Sequence, residues 1–415
     1  MQIARNWKTA GQAFARRNYR LFFAGQLVSL MGTWTQSVAQ AWLVYRLTGS
    51  AFVLGLATFC QQAPAFFLAS FGGLIADRYR RRTVLVITQS SAMILAFVLA
   101  GLTLSGSVRV FHVLALATML GVITAFDSPT RQSFVIEMVG RESLASAVAL
   151  NSSMVTGAAV VGPAIAGVAI KEIGEGWCFV ANGASFLAVI AGLLAMRDLP
   201  APTSNASRES MRARLREGFR FVASEPRIRA LLMLLALAAS MSIPSATLMP
   251  VFARTILHGE ARTLGLLMGT QGVGALIAGL VFAARSDSRG TYAWIASACA
   301  INGATLVLFA LSRTPWISIP LMLPLGAGTL IQVTATNFLL QTLTPDEMRG
   351  RVMAIWLMIL MGFSPVGSLL AGWAATAFDV RLPLIIGGAV CTIGAIVFSA
   401  SRASAVSPST SCKHD

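Results

Sequence analysis

The chain has 415 residues, of which 56% are hydrophobic and only 12% charged, and its mean hydropathy is +0.72; that combination excludes an ordinary soluble domain. Its formal net charge of +16 would suit a nucleic-acid binder, but the basic residues are divided among short loops between apolar runs rather than gathered on one segment. The expectation is an all-α membrane protein.

A helix needs about 20 apolar residues to cross about 30 Å of hydrocarbon. Twelve segments qualify: 21–45, 52–75, 83–104, 111–130, 146–170, 177–196, 228–253, 263–284, 292–312, 316–342, 352–377 and 382–400. Before the first lies "MQIARNWKTAGQAFARRNYR", basic and without a small-residue cleavage site, so the first segment reads as an uncleaved span. With the N-terminus placed in the cytoplasm, 25 of the 32 Lys and Arg fall on that side. Arg46, Arg109, Lys171, Arg254, Arg262, Arg313 and Arg381 fall on the other. This is the positive-inside pattern, and it predicts that both termini are cytoplasmic.

The first span carries Gln26, Ser29, Thr33, Gln36, Ser37 and Gln40 at helical spacing. Polar groups in hydrocarbon are costly unless paired or wetted, so this stripe is expected to face the bundle interior. Between the second and third spans stands "GGLIADRYRRR", two glycines and an aspartate followed by clustered arginines. Any inner loop gains an anchor from such charge.

The fourth span holds Asp127, with Arg131 four residues on and Pro129 between them. At 1.5 Å per residue Asp127 sits about 24 Å along a span beginning at Phe111, near the expected cytoplasmic interface. An ion pair shaping a helix end and a proton-coupling or gating pair are both open readings. No Asp, Glu, Lys or Arg falls near the middle of any span, which points to neutral or amphipathic compounds rather than strongly ionic ones.

The fifth span contains "AAVVGPAIAG", in which Gly157, Gly162, Pro163 and Gly167 are helix-packing candidates. A Pro-, Ser- and Arg-rich stretch follows the sixth span. Within it, residues 210–221 form a basic amphipathic pattern with Met211, Leu215, Phe219 and Val222 on one face, suited to the inner leaflet. The tenth span repeats the polar stripe with Thr329, Gln332, Thr336, Asn337 and Gln341. Trp34 and Trp356 offer flat apolar surface either to a ligand or to packing.

The halves echo each other. "LGL" at 54–56 and again at 264–266 lies 23 residues before Asp77 and Asp287, a shift of 210. Gly157, Gly162, Ala166 and Gly167 match Gly362, Gly367, Ala371 and Gly372 at a shift of 205. A six-plus-six parallel repeat is the economical explanation. It divides the chain into a segment 1–20, a six-helix bundle 21–197, a central linker 198–227, a second six-helix bundle 228–400 and a tail 401–415. The five cysteines show no metal-ligand spacing, the three histidines sit near helix ends or in the tail, and no nucleophile–base pair marks an enzyme. No "GxxxxGK[ST]" sequence appears for nucleotide binding.

Gly73, Ile75, Ala76, Asp77, Arg78, Arg81 and Arg82 fit the GxLaDrxGrk signature of the major facilitator superfamily, with Arg80 in place of the later glycine. Together with "DSPTRQSFVIEMVGRESLASAVALNSS" and "VGPAIAG" the chain resembles that superfamily over residues 15–400, in the branch of enterobactin exporters and macrolide efflux proteins. The resemblance implies twelve helices in two six-helix bundles. The first, fourth, seventh and tenth spans would line a cavity, with Gln26, Thr33, Gln36, Gln40, Gln332, Thr336 and Asn337 as candidate substrate contacts. It implies that Gly72, Gly73, Asp77, Arg78, Arg81 and Arg82 form a gate, Asp77 latching against the start of the eleventh span when the cavity faces outward. It also implies that the fifth-span motif resembles an antiporter signature, with Ala158 and Ala166 replacing glycines.

The implied activity is proton-coupled export of a siderophore-like or macrolide-like molecule by alternating access, with Asp127 and Arg131 as coupling candidates. Uptake of a neutral nutrient, or a receptor or assembly role without transport, are the competing readings. The expected partners are a small-molecule substrate, protons and the bilayer, without nucleic acid, metal or cofactor, and a monomer suffices as the working unit.

Overall fold

The computed structural model describes residues 13–140, 142–197, 211–285 and 290–406. Fourteen helices follow in chain order: α1 Arg17–Thr48, α2 Ala51–Arg78, α3 Arg81–Leu104, α4 Val110–Val139, α5 Leu144–Ile173, α6 Glu175–Leu194, α7 Met211–Ser224, α8 Pro226–Met241, α9 Ser245–Thr255, α10 Ala261–Arg285, α11 Thr291–Leu311, α12 Pro315–Leu343, α13 Asp346–Ala377 and α14 Arg381–Val406. No strand occurs among the described residues. Tight turns separate the long helices. After α1, Gly49 takes the left-handed conformation (φ 62) that closes a helix, and the Ser50 hydroxyl accepts from the Val53 N–H to open the next.

Among the described residues, eleven spans are long and apolar enough to cross a membrane, α8 and α9 together making one of them as Pro226–Thr255. α1 is long enough but fails on apolarity, because its interior stripe of Gln, Ser and Thr lowers the average. The expected seventh span is interrupted at Ser242–Pro244, where Pro244 supplies no backbone donor. Three other boundaries move by six residues or more. α4 runs unbroken through Pro129 to Val139, nine residues past the expected end, so Pro129 removes one rung without terminating the helix. α13 starts at Asp346 rather than 352, and α14 continues beyond residue 400.

α1 packs on α6 and α5, α2 on α4, and α3 on α6; in the second half α8 packs on α13, α10 on α12, and α11 on α14. The two halves match in detail. Gly121 presses against the Gln61 carbonyl where α4 crosses α2, and Gly326 presses against the Gln271 carbonyl where α12 crosses α10. These pairs are related by shifts of 205 and 210, the same two that relate the sequence motifs. A side chain at either glycine would collide with backbone, and backbone cannot rotate away.

The bundles meet along two seams, α2 with α13 and α5 with α10. Both seams are tightest toward the end away from the clustered arginines. There Gly167 meets Gly265, a Cβ on the former falling 2.9 Å from the latter's Cα, and Gly372 meets Ala51. The Phe52 N–H donates to Thr376 Oγ1 at 2.9 Å, and Lys171 pairs with Glu260 at 3.5 Å. The end carrying Arg78, Arg80, Arg81, Arg82, Arg349 and Arg351 is called the basic end below.

Candidate functional site

Asp127 lies inside the first bundle, only 6% exposed. Twelve residues, or about 18 Å of helix, separate it from the end of α4, so the expectation of a pair shaping a helix end is corrected. Its Oδ2 lies 3.2 Å from Arg131 Nη2. Its Oδ1 accepts from Thr88 Oγ1 at 2.9 Å and Gln89 Nε2 at 2.8 Å, both on α3. Arg131 Nη1 in turn donates to Gln26 Oε1 on α1 at 3.2 Å. A buried carboxylate is tolerable only when its lone pairs are met, and here three donors meet them. The cluster ties α1, α3 and α4 together.

Thr88 and Gln89 were not among the residues singled out from sequence. They sit in an apolar run whose polar members show no stripe, and their importance follows only from their position opposite Asp127.

Between the bundles, in the basic half, lies a cavity of about 650 Å³. Phe59 and Phe66 of α2, Phe219 of α7, Met233 of α8, and Met358 and Phe363 of α13 form much of its wall. Arg229 is the charged residue on its lining, and its Nη1 donates to the Ala223 carbonyl at 2.9 Å. Aromatic and thioether side chains give an adaptable apolar surface. α7 is therefore more than a helix on the leaflet surface. Glu217 grips Arg351 through two contacts of 3.0 Å, Gly218 packs on Arg351 and Ile355, and Phe219 and Val222 reach the cavity. Of the expected apolar face, the Met211 side chain lies outside the described residues.

None of the seven polar residues expected to contact substrate borders this cavity. Gln26 belongs to the Arg131 cluster. Thr33, Gln36 and Gln40 border a small pocket of about 40 Å³ within the first bundle, with Asn182 Nδ2 donating to Gln36 Oε1 at 2.7 Å. Gln332 and Thr336 are buried in the second bundle, where both amide atoms of Gln332 and the Thr336 hydroxyl lack a partner. Asn337 Oδ1 accepts from Gln341 at 2.6 Å. A polar stripe does not by itself separate a bundle's own core from the gap between bundles.

The arginine loop is built into the first bundle. Arg81 pairs with Glu137 at the end of α4 and donates to the Ala76 carbonyl at 3.3 Å. Arg82 Nη2 donates to the Leu194 carbonyl at 2.7 Å, capping α6. Arg78 and Arg80 are exposed. Asp77 lies in the last turn of α2; its side chain is outside the described residues. Gly72 presses on the Ala125 carbonyl of α4, whereas Gly73 has nothing within 4 Å of a notional Cβ. On α5, Gly162 meets Trp34 of α1, Gly167 meets Gly265 across the seam together with the Pro163 carbonyl, and Gly157 faces open space.

The chain matches the family model described as transmembrane secretion effector over residues 9–413. It is 27% identical over 365 residues to the staphyloferrin A transporter of Staphylococcus aureus, covering 87% of this chain and 90% of that one. It is 25% identical over 370 residues to the multidrug efflux pump Tap of Mycolicibacterium fortuitum, covering 85% and 90%. It is 26% identical over 395 residues to the enterobactin exporter EntS of Citrobacter koseri, covering 91% and 90%. Among solved structures, a bacterial homologue of the lysosomal transporter Spinster in an inward-facing, unoccupied conformation superposes with a TM-score of 0.70 at 15% identity, covering 93% of this chain and 97% of that one. Its relatives and fold make this chain a multi-pass membrane transporter of small molecules, not an enzyme, and it belongs to the transmembrane secretion effector family of the major facilitator superfamily.

Proposed function

We propose that this protein exports an amphipathic or neutral small molecule from the cytoplasm across a bacterial inner membrane, by alternating access and against inward proton flow. One observation carries the reading. The bundles approach most closely at the end away from the arginines, and in the basic half an apolar cavity of about 650 Å³ is lined by α2 of the first bundle and by α8 and α13 of the second. If the basic end is cytoplasmic, as the charge distribution favours, the cavity is presented to the inner leaflet and cytoplasm. A molecule with a broad apolar face is then the natural occupant. The names of the relatives, two siderophore transporters and a multidrug pump, support siderophore-like or drug-like cargo.

Export against a gradient needs an energy input, for which an inward proton gradient is the simple source, and Asp127, buried inside the first bundle, is a carboxylate suited to couple transport to it. Motion of α4 against α1 breaks the Arg131–Gln26 hydrogen bond and frees the guanidinium to turn away from Asp127, which alters the charge that the carboxylate faces. Asp77 at the end of α2 serves as the latch that stabilises the outward-facing state near the start of α13, where Asp346 and Glu347 occupy the first turn. The test is accumulation of a panel of siderophores and macrolides in everted vesicles. Accumulation dependent on the protein and on an imposed pH gradient is expected. Accumulation only in right-side-out vesicles reverses the direction, and none in either removes transport of these classes. Asp127→Asn should abolish the response to the gradient while leaving substrate binding intact.

A further inference from the structure

Gln89 presents an anomaly. Its Nε2 donates to Asp127 Oδ1, yet its Oε1 is buried without any partner. An orphaned buried acceptor is destabilising. A residue that only held an ionised carboxylate would do so more cheaply as a hydroxyl or an exposed amide. Thr88 beside it has a complementary surplus. Its single hydroxyl proton lies between two acceptors, Asp127 Oδ1 at 2.9 Å and the Leu85 carbonyl at 3.1 Å, and can serve only one at a time.

Both groups are reversible. When Asp127 is ionised, the Thr88 hydroxyl and the Gln89 amide NH₂ donate to Oδ1. When Oδ1 gains a proton, the Thr88 hydroxyl can turn its own proton to the Leu85 carbonyl and accept from the new O–H. Alternatively Gln89 can rotate its amide and present the idle Oε1. Oδ2 remains available to Arg131 in both cases. The step is transfer of one proton from hydronium: an O–H bond of H₃O⁺ breaks, one forms at Asp127 Oδ1, water is released, and Arg131 stays charged throughout.

We infer that Thr88 and Gln89 form a two-state seat that satisfies Asp127 both as carboxylate and as carboxylic acid, making them positioning residues for proton coupling. The inference rests on the proposal that Asp127 carries the coupling proton. The surroundings leave the role to these neutral groups. Arg131 is the charged neighbour on α4, and Glu137, ten residues and about 15 Å further along, is engaged by Arg81 of α3. α1 contributes Gln26 and Tyr19, the latter donating to the Ala147 carbonyl at 3.1 Å, while Arg20 is exposed. From α2, Arg78 is exposed and the Asp77 side chain is outside the described residues.

The test is pH-difference infrared spectroscopy of the purified full-length protein in liposomes, reading the C=O stretch of a protonated carboxyl. Asp127→Asn should delete this band, which identifies it. In Thr88→Val/Gln89→Leu the band should move to the higher frequency of a carboxyl without an acceptor, and gradient-driven efflux should fall about tenfold, the effect of one lost hydrogen bond of ordinary strength. Thr88→Ser, which keeps the hydroxyl, should leave the band in place. If the double variant does not insert, the single variants are compared. Each retains one acceptor, so their bands should differ from one another, and identical bands in both overturn the seat. A band deleted by Asp127→Asn but unmoved in the double variant also overturns the seat while leaving Asp127 as the proton site. A band absent or indifferent to Asp127→Asn removes the proton site and the seat together.

Discussion

At the scale of single residues, the two bundles treat equivalent positions differently. Asp127 and Arg131 correspond, at a shift of 205, to Gln332 and Thr336. Both pairs are shielded on the α4-type helix of their half, but the first is ionic and hydrogen-bonded, whereas Gln332 has neither amide atom satisfied. An unpaired buried amide contributes little that an apolar group of similar shape would not. Gln332→Leu is therefore expected to leave the thermal unfolding midpoint unchanged or raised and transport intact, measured by a melting curve and vesicle uptake. A drop equivalent to more than about 1 kcal/mol would mean the amide has partners that an apolar group cannot replace. Removing Asp127 should act on the gradient response as well as on stability, because Asn keeps one oxygen to accept from Thr88 and Gln89 but turns an NH₂ donor toward Arg131 and cancels the charge facing it.

At the scale of helices, the seams are set by glycine. The Gly167–Gly265 approach has no room for a side chain. Gly167→Val should hold the bundles apart at the end that is now closed, abolishing transport while the protein still inserts. A short bifunctional reagent should cross-link cysteines at Lys171 and Glu260 in the parent, where those side chains pair at 3.5 Å, and fail to do so in the Gly167→Val background. Unchanged cross-linking would show that the seam absorbs the bulk elsewhere. The α7 helix offers a separate handle, because Phe219 reaches the cavity from outside the spans. Phe219→Asp places a charge in an apolar wall, so binding of lipophilic compounds should weaken several-fold without loss of insertion, as fluorescence titration can show. The Glu217–Arg351 pair holding α7 is half exposed on the glutamate side and, screened by solvent, contributes no more than about 1 kcal/mol.

At the scale of the whole molecule, the arrangement of charge predicts sidedness. A cysteine at Arg80 should be protected from an impermeant thiol reagent in intact cells and one at Ser107 should react, native cysteines having been removed. Ser107 is preferable to the neighbouring-loop Gly174, whose φ of 82 disfavours any side chain. Labelling at Arg80 from outside would invert the orientation and, with it, the reading of the cavity as facing the cytoplasm.

What the sequence determined by itself follows from local physics. Apolar runs of sufficient length specified the spans, since the bilayer leaves a backbone no other partners than its own. The twofold repeat was legible because small residues recur wherever helices touch, and glycines such as Gly121 and Gly326 cannot be exchanged without collision. The motif from Gly72 to Arg82 carried the family. Missed were features that depend on what lies opposite: α4 continuing past Pro129, the break at Pro244, the pairing of Arg81 with Glu137, and Thr88 and Gln89 beneath Asp127. Only the tertiary structure decided which polar residues serve a bundle's own core and which surfaces border the gap between bundles. A helical stripe records that a face avoids lipid, and the relative placement of two rigid bundles decides whether that face meets another helix or open space.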